Sequence, residues 1–212
     1  MSSPETKPKK LSPYAHAPVL PAGERIELGS IVRGDHYEIE IGPGRGGFIF
    51  ERALSAPDAG LVGFEIRRKW ATIVDERLAK QGFSLRARVF SEDAKFALPR
   101  LGPDASVRLV TMHFPDPWWK KRHQKRLVMG DTILDEVFRL LTTSGAFFIQ
   151  TDVEERAEQY NAHLSDDPRF VPYGDEPDSA WLAENPYGAR SPRERRAITD
   201  GLPIFRIRYR KC

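Results

Sequence analysis

Cysteine is the scarcest residue type in this sequence, with Cys212 as the single example among 212 residues. One cysteine excludes an internal disulfide, so we expect the protein to work in a reducing compartment. The chain also lacks an apolar run long enough to span a bilayer, and residues 1–10 lack the apolar core of a signal peptide. His113 and His123 have no cysteine or second ligand at metal spacing. We therefore predict a soluble, cytoplasmic protein with no membrane partner and no metal.

A large excess of one charge is also missing, since 33 Lys and Arg against 30 Asp and Glu leave a formal net charge of +3. The basic residues are nevertheless clustered in two stretches, residues 113–126 and 190–211. Clustered positive charge says more about nucleic-acid binding than a modest net charge does. The distribution therefore favours a polyanionic partner.

The length of the chain fits one α/β domain, because domains run to roughly 100–200 residues. Residues 1–22 are rich in Pro, Ser and Lys and are predicted to form a flexible arm, which leaves residues 23–212 as a single domain. From Tyr37 onward, short apolar runs alternate with helical periodicity. This alternation predicts βαβ units and an α/β fold with a doubly wound, mostly parallel sheet.

The apolar runs predict six strands, at residues 37–41, 61–65, 85–90, 107–112, 146–150 and 204–209. Predicted helices cover residues 48–54, 67–81 and 154–164, and a further helix has Asp131 as its N-cap. Alternating Arg residues in the last strand are typical of an edge or antiparallel strand with one solvated face. The Pro- and Asp-rich stretch 165–189 is expected to be irregular.

An acidic residue ends or closely follows each of the first five strands. These residues are Glu40, Glu65, Asp93, Asp116 and Asp152. In a doubly wound sheet the carboxyl ends of the parallel strands share one edge, where the ligand crevice lies. Glu40 is the most informative of them because it interrupts an apolar strand. A single acid is more often a helix cap or a turn residue, but five predict a cleft for a ligand with hydroxyl groups and positive charge.

A glycine-rich turn, Gly42-Pro-Gly-Arg-Gly-Gly47, follows the first strand directly. Its glycines allow a sharp turn and a close approach to a ligand. The string also satisfies GxGxxG, so an NAD-dependent oxidoreductase is an alternative. Glu40 would repel a pyrophosphate at this helix N-terminus but would attract an ammonium or sulfonium group. Glu65 is placed for a ribose diol and Asp93-Ala94 for an adenine amino group, a pattern that favours S-adenosylmethionine.

A proline-flanked acid leads into a basic strip after the fourth predicted strand. Pro115 and Pro117 stiffen the backbone on either side of Asp116 and present its carboxylate beside Trp118. The strip that follows contains Lys120, Lys121, Arg122, Lys125 and Arg126. This order is typical of a catalytic loop whose rim holds a polyanion. The alternative is a Pro-rich turn that leads into a solvated basic surface.

Four motifs together resemble the tRNA (guanine-N7-)-methyltransferase family of the TrmB type. They are Glu40-Ile-Gly-Pro-Gly-Arg-Gly, Gly63-Phe-Glu-Ile, Asp93-Ala94 and Phe114-Pro-Asp-Pro-Trp-Trp-Lys-Lys-Arg-His. The resemblance, over roughly residues 36–211, implies a Rossmann-like seven-stranded sheet with an antiparallel edge strand. It also implies S-adenosylmethionine as cofactor, S-adenosylhomocysteine as product and tRNA as partner. The implied reaction is methyl transfer to N7 of a guanine in the variable loop, at position 46.

The resemblance further implies roles for individual residues. Asp116 would be catalytic and would share the cofactor site with Glu40, Gly42, Gly44, Gly46, Glu65, Asp93 and Ala94. The nucleoside and the tRNA would be bound by Lys120, Arg122, Lys125, Arg126, Asp152, Ser191, Arg193 and Glu194. Near the C-terminus the family usually has Thr-x-x-Glu followed by a basic residue. This chain has Ser191-Pro-Arg-Glu-Arg195 there, so Pro192 changes the local backbone.

The implied reaction requires the protein mainly to position guanine N7 and the methyl group. Guanine N7 carries an unprotonated lone pair on the major-groove edge and needs no general base. Holding N7 in line with the sulfonium methyl can supply ~7–11 kcal/mol of the barrier. A carboxylate such as Asp116, Asp152 or Glu194 would stabilise the positive charge that the purine gains. The alternatives are methylation of an adenine amino group and an RNA-binding module without catalysis. For the oligomeric state, a monomer and a homodimer are both compatible with the sequence.

Overall fold

The computed structural model describes residues 13–115 and 130–212. Its strands, in chain order, are β1 (Ile26–Glu27), β2 (His36–Ile41), β3 (Ala59–Phe64), β4 (Ala87–Phe90), β5 (Leu101–Gly102), β6 (Val107–His113), β7 (Leu141–Thr151), β8 (Phe170–Pro172) and β9 (Phe205–Lys211). The helices are α1 (Leu28–Ile31), α2 (Gly47–Ser55), α3 (Arg68–Lys80), α4 (Ala94–Ala97), α5 (Asp131–Leu140), α6 (Glu154–Ser165) and α7 (Pro192–Thr199), with a 3₁₀ turn at Leu98–Arg100.

Seven strands form one sheet in the order β4-β3-β2-β6-β7-β9-β8, and β1 and β5 form a separate parallel pair. The strands β4, β3, β2, β6 and β7 pair in parallel. The strand β9 runs antiparallel to both β7 and β8. In chain order, β3 and β4 lie on one side of β2, and β6 and β7 lie on the other. This change of side places a topological switch point at the carboxyl end of β2.

Apolar side chains cover both faces of this sheet. Every residue of β3 is buried, as expected of a parallel strand covered on both sides. On one side a core cluster joins α2 and α3 to the sheet through Ile49, Val74 and Val89. A larger cluster on the other side includes Met112 and Ile149. The glycine turn between β2 and α2 is thereby held between two packed elements.

The predicted fold class is confirmed, including the seven-stranded sheet and the antiparallel pairing at its edge. All six predicted strands are present. The strand β7 begins at Leu141, five residues before the predicted start, because the polar residues Thr142 to Ser144 interrupt the apolar pattern. The prediction of Asp131 as an N-cap is wrong, since Asp131 is already the first residue of α5 and Gly130 occupies the cap position. Strand β8 and helix α7 were not predicted.

The segment before β1 packs on the domain near the end of β4. The Ser91 amide donates to the Pro18 carbonyl oxygen at 2.6 Å, and Leu20 is 4% exposed and belongs to the larger core cluster. The Leu20 amide also donates to Glu92 Oε1 at 3.3 Å. The division of the chain at residue 22 stays a prediction, but these contacts tie residues 18–20 to the loop after β4.

In the described part of the chain, no helix combines the length and the apolar character needed to cross a membrane. Within the same ranges, no group of three or more His, Cys, Asp or Glu side chains is arranged to hold a metal ion.

Candidate active site

The parallel strands bring four of the five predicted acids to one edge of the sheet. Glu40 is the penultimate residue of β2, and Glu65 directly follows β3. Asp93 precedes α4 after the end of β4, and Asp152 directly follows β7. Asp116, the fifth acid, lies outside the described residues. The described acids therefore lie at the carboxyl-end edge, at and around the switch point where ligands bind in folds of this kind.

The glycine turn between β2 and α2 has a backbone that other residues rarely adopt. Gly42, Gly44 and Gly46 have φ angles of +73°, +54° and +76°, which is the left-handed region. A Cβ atom added to Gly42 or to Gly44 would have no atom within 4 Å. The turn therefore has open space on one side, where the backbone can approach a ligand closely.

Gly46 differs from Gly44 because its neighbour is the hydrophobic core. A Cβ at Gly46 would lie 2.4 Å from Val74 Cγ1, and Val74 is fully buried in α3. Both Gly44→Ala and Gly46→Ala impose a left-handed backbone on alanine, but only Gly46→Ala also overpacks the core. We expect Gly46→Ala to lower the free energy of unfolding by at least about 1 kcal/mol more than Gly44→Ala. Urea denaturation of the two variants checks this, and equal losses would contradict the assignment of Gly46 to packing.

Glu65 connects the end of β3 to the glycine turn. Its side chain is buried and accepts hydrogen bonds from the Gly44 amide at 3.0 Å and from the Arg67 amide at 2.8 Å. Asp93 caps α4, because its carboxylate accepts from the Lys95 amide at 3.0 Å, and Ala94 is the buried first residue of that helix. These contacts fix the orientation of both carboxylates at the carboxyl-end edge of the sheet.

Glu40 is 5% exposed and has one engaged and one unengaged carboxylate oxygen. Oε1 lies 3.0 Å from Nδ1 of His113. Oε2 has no hydrogen-bond partner among the described residues. Buried charge is costly without a partner, so this oxygen is suited to a cationic group of a ligand. Together with the open side of Gly42 and Gly44, it makes the site compatible with S-adenosylmethionine.

The C-terminal residues predicted to bind substrate surround the start of α7. The Ser191 hydroxyl caps this helix by accepting from the Glu194 amide at 3.1 Å, and Pro192 occupies the first helical turn. The sequence Ser-Pro-x-Glu is a capping-box pattern with proline at a favoured position, and this signal could have predicted α7. A Cβ at Gly47 would lie 2.5 Å from Pro192 Cδ, so α7 packs directly on the start of α2.

Glu194 has no exposed surface and is the centre of a buried polar cluster. Its carboxylate accepts from Gln150 Nε2 at 2.9 Å and from Asn185 Nδ2 at 3.0 Å. It also accepts from Arg206 Nη2 at 3.3 Å. We call Glu194, Gln150, Asn185 and Arg206 the Glu194 cluster. Its bonds join α7 to β7 and β9, and the predicted role of Glu194 in substrate binding stays a prediction.

Asp152 and Arg193, both predicted to bind substrate, are ion-paired with each other. Arg193 Nε donates to Asp152 Oδ2 at 2.9 Å, and Nη2 donates to the same oxygen. The side chain of Asp152 is 14% exposed and that of Arg193 is 58% exposed. The pair therefore lies at the surface of the carboxyl-end edge. The predicted substrate residues Lys120, Arg122, Lys125 and Arg126 lie outside the described residues, so their roles stay predictions.

Two arrangements near the site were missed from the sequence. His113, the last residue of β6, contacts Glu40 although the two are 73 positions apart. Glu38 is buried and forms two hydrogen bonds with Arg52, whose Nη1 also donates to the Tyr187 carbonyl oxygen. Burial raises the pKa of the Tyr187 phenol to about 12. Glu38 had a detectable signal, since it interrupts an apolar strand just as Glu40 does.

Comparison with known proteins identifies the family of this chain. A family model described as "Putative methyltransferase" matches residues 35–207. The tRNA (guanine-N(7)-)-methyltransferase of Myxococcus xanthus (strain DK1622) is 34% identical over 174 residues, which are 82% of this chain and 82% of that protein. The protein of the same name from Anaeromyxobacter dehalogenans (strain 2CP-C) is 36% identical over 180 residues, which are 84% of this chain and 87% of the relative.

Solved structures agree on the fold. An O-methyltransferase from a multienzyme of Brevibacillus brevis, in complex with S-adenosyl-L-homocysteine, has a TM-score of 0.52 at 14% identity. The alignment covers 84% of this chain and 67% of that one. This likeness shows a class I methyltransferase fold and no more. With the family match and the two relatives, it leads to one conclusion: the chain belongs to the tRNA (guanine-N(7)-)-methyltransferase family.

Proposed function

We propose that this protein transfers the methyl group of S-adenosylmethionine to N7 of a guanine in tRNA, at position 46 of the variable loop. The products are 7-methylguanosine in the tRNA and S-adenosylhomocysteine. The observation that carries the proposal is the arrangement at the end of β2. There the buried Glu40 has a carboxylate oxygen without a partner among the described residues, and the glycine turn that follows has open space beside Gly42 and Gly44. Two relatives named tRNA (guanine-N(7)-)-methyltransferase, at 34% and 36% identity, support the choice of substrate.

Several residues of this chain would hold the cofactor. When bound, the cofactor supplies a methyl group on a positively charged sulfur. Glu40 Oε2 would accept from its ammonium group, and Gly42 and Gly44 would allow its close approach to the backbone. Glu65 would hold the ribose hydroxyls, and Asp93 with Ala94 would contact the adenine. Glu65 is already oriented by two backbone amides, which limits the reorganisation needed on binding.

The remaining residues would position the guanine and the RNA. N7 attacks with its own lone pair, so the protein has no proton to remove from it. Asp116 would stabilise the positive charge that develops on the purine, and Asp152 and Glu194 would help to place the base. Opening of the Asp152–Arg193 ion pair would free both side chains for the nucleoside. Ser191 would support this region through α7, and Lys120, Arg122, Lys125 and Arg126 would contact the phosphates.

The test is transfer of label from tritiated-methyl S-adenosylmethionine to unmodified tRNA transcripts, followed by nucleoside analysis. We expect label in 7-methylguanosine. Transcripts in which the guanine at position 46 is replaced should accept no label. Asp116→Ala protein, prepared in the same way, should transfer less label to tRNA than the wild type does. Label in methylated adenine would contradict the proposed target, and tight tRNA binding without transfer would favour a non-catalytic RNA-binding module. The proposal also includes a cytoplasmic location. The protein is proposed to act as a monomer or homodimer, and light scattering measures which of these oligomeric states it adopts.

A further inference from the structure

The buried contact between His113 and Glu40 is the starting point. Glu40 lies in β2 and His113 at the end of the neighbouring strand β6, where Glu40 is paired in register with Thr111. Side chains two positions apart on a strand share a face, so His113 and Glu40 lie on the same side of the sheet. Both side chains are buried, with exposed fractions of 2% and 5%. The distance from His113 Nδ1 to Glu40 Oε1 is 3.0 Å.

The surroundings of the imidazole fix its orientation. The ring centroid of Phe48 lies 4.1 Å away, and that of Phe148 lies 5.9 Å away in an edge-on arrangement. Nε2 has no hydrogen-bond partner in the described ranges 13–115 and 130–212. A proton on Nε2 would find no acceptor among these described residues, whereas a proton on Nδ1 is donated to Glu40. The hydrogen bond to the Glu40 carboxylate thus places a proton on Nδ1 of His113.

We propose that His113 is a positioning residue for the cofactor site. Its Nδ1–H holds Oε1 of Glu40 and so aims Oε2 at the position of the cofactor ammonium group. This inference rests on the proposed function, because it assumes that Glu40 contacts S-adenosylmethionine. Phe48, which packs on the imidazole, is the second residue of α2. The contact therefore fixes the carboxylate relative to the glycine turn as well as to β6. Without it, the Glu40 side chain would have to be ordered on binding, and affinity would fall.

The test uses variants of the whole chain that place a hydrogen-bond donor at different positions of the former imidazole ring. His113→Asn puts an amide nitrogen near the position of Nδ1, His113→Gln puts it near Nε2, and His113→Leu removes it. The dissociation constant for S-adenosylmethionine, measured by isothermal titration calorimetry, should rise about tenfold in His113→Leu and His113→Gln. In His113→Asn it should stay within about threefold of wild type. The Michaelis constant for S-adenosylmethionine should rise by a larger factor than the turnover number falls in His113→Leu and His113→Gln, because the loss is mainly in cofactor binding.

A double-mutant cycle separates positioning from general packing, since His113 is buried between two phenylalanines. If His113 acts through Glu40, His113→Leu should weaken binding much less in a Glu40→Gln background than in wild type. Equal weakening in both backgrounds, or equally weak binding by His113→Asn and His113→Gln, would overturn the inference. The comparison of Asn with Gln holds even if the Leu variant fails to fold. Absence of cofactor binding by the wild type would instead overturn the proposed function.

Discussion

Glu40→Gln is expected to raise the dissociation constant for S-adenosylmethionine about a hundredfold. The change removes the negative charge but keeps the size of the side chain, so the glycine turn should stay in place. A hydrogen bond between ionised groups contributes about 1.5–3 kcal/mol, and removal from a buried position costs at the upper end of that range. Each 1.4 kcal/mol is about a tenfold change in affinity. Equilibrium dialysis with labelled cofactor measures the change directly.

Glu38 provides a matched control on the same strand. Both glutamates are 5% exposed and point to the same face of β2, but Glu38 is fully engaged by Arg52 at 2.6 and 2.7 Å. Glu38→Gln should therefore leave the cofactor dissociation constant within about threefold of wild type while lowering the free energy of unfolding by about 1–3 kcal/mol. If the two variants weakened cofactor binding equally, the effect would come from burial of charge in β2 and not from contact with the ligand.

Local patterns were sufficient to predict most of the fold. The strand β3 is a continuous run without a charged residue, and β6 is mostly apolar. The helix α3 has a regular apolar stripe, so each of these elements can be recognised within a dozen residues. The strand β8 has three residues and includes a proline, which is too little for a pattern. Its place in the sheet depends on pairing with β9, more than thirty residues later in the chain. Such pairing cannot be inferred from the short segment itself.

The candidate site was likewise predictable only in part. The acids at strand ends could be predicted because strand direction alone brings them to one edge. The partners of those acids could not, because they depend on side-chain contacts between distant parts of the chain. His113 is 73 positions from Glu40, and Arg193 is 41 positions from Asp152. The sequence therefore predicted where the charges lie but not which of them are already neutralised.

The partners of an acid, which the sequence did not predict, matter most for stability at Glu194. The resemblance to the family implies that Glu194 binds substrate, and the structure buries its carboxylate completely among three donors. Arg206, one of these donors, is itself 6% exposed. Removal of the carboxylate leaves a buried guanidinium without its counter-charge, which costs far more than the pair contributes when intact. The Glu194 cluster also anchors α7, which packs on Gly47 at the start of α2.

We therefore expect Glu194→Ala to lower the free energy of unfolding by about 3–5 kcal/mol, as measured by urea denaturation. Glu184→Ala is the control, because Glu184 is 79% exposed and lies 3.8 Å from Arg190. Its removal should change stability by less than about 0.5 kcal/mol. A second change, Arg206→Met, should restore part of the loss in the Glu194→Ala background, since the unpaired buried charge is then gone. A fully stable Glu194→Ala protein with weak tRNA binding would instead mean that Glu194 acts on substrate and that the cluster contributes little to the fold.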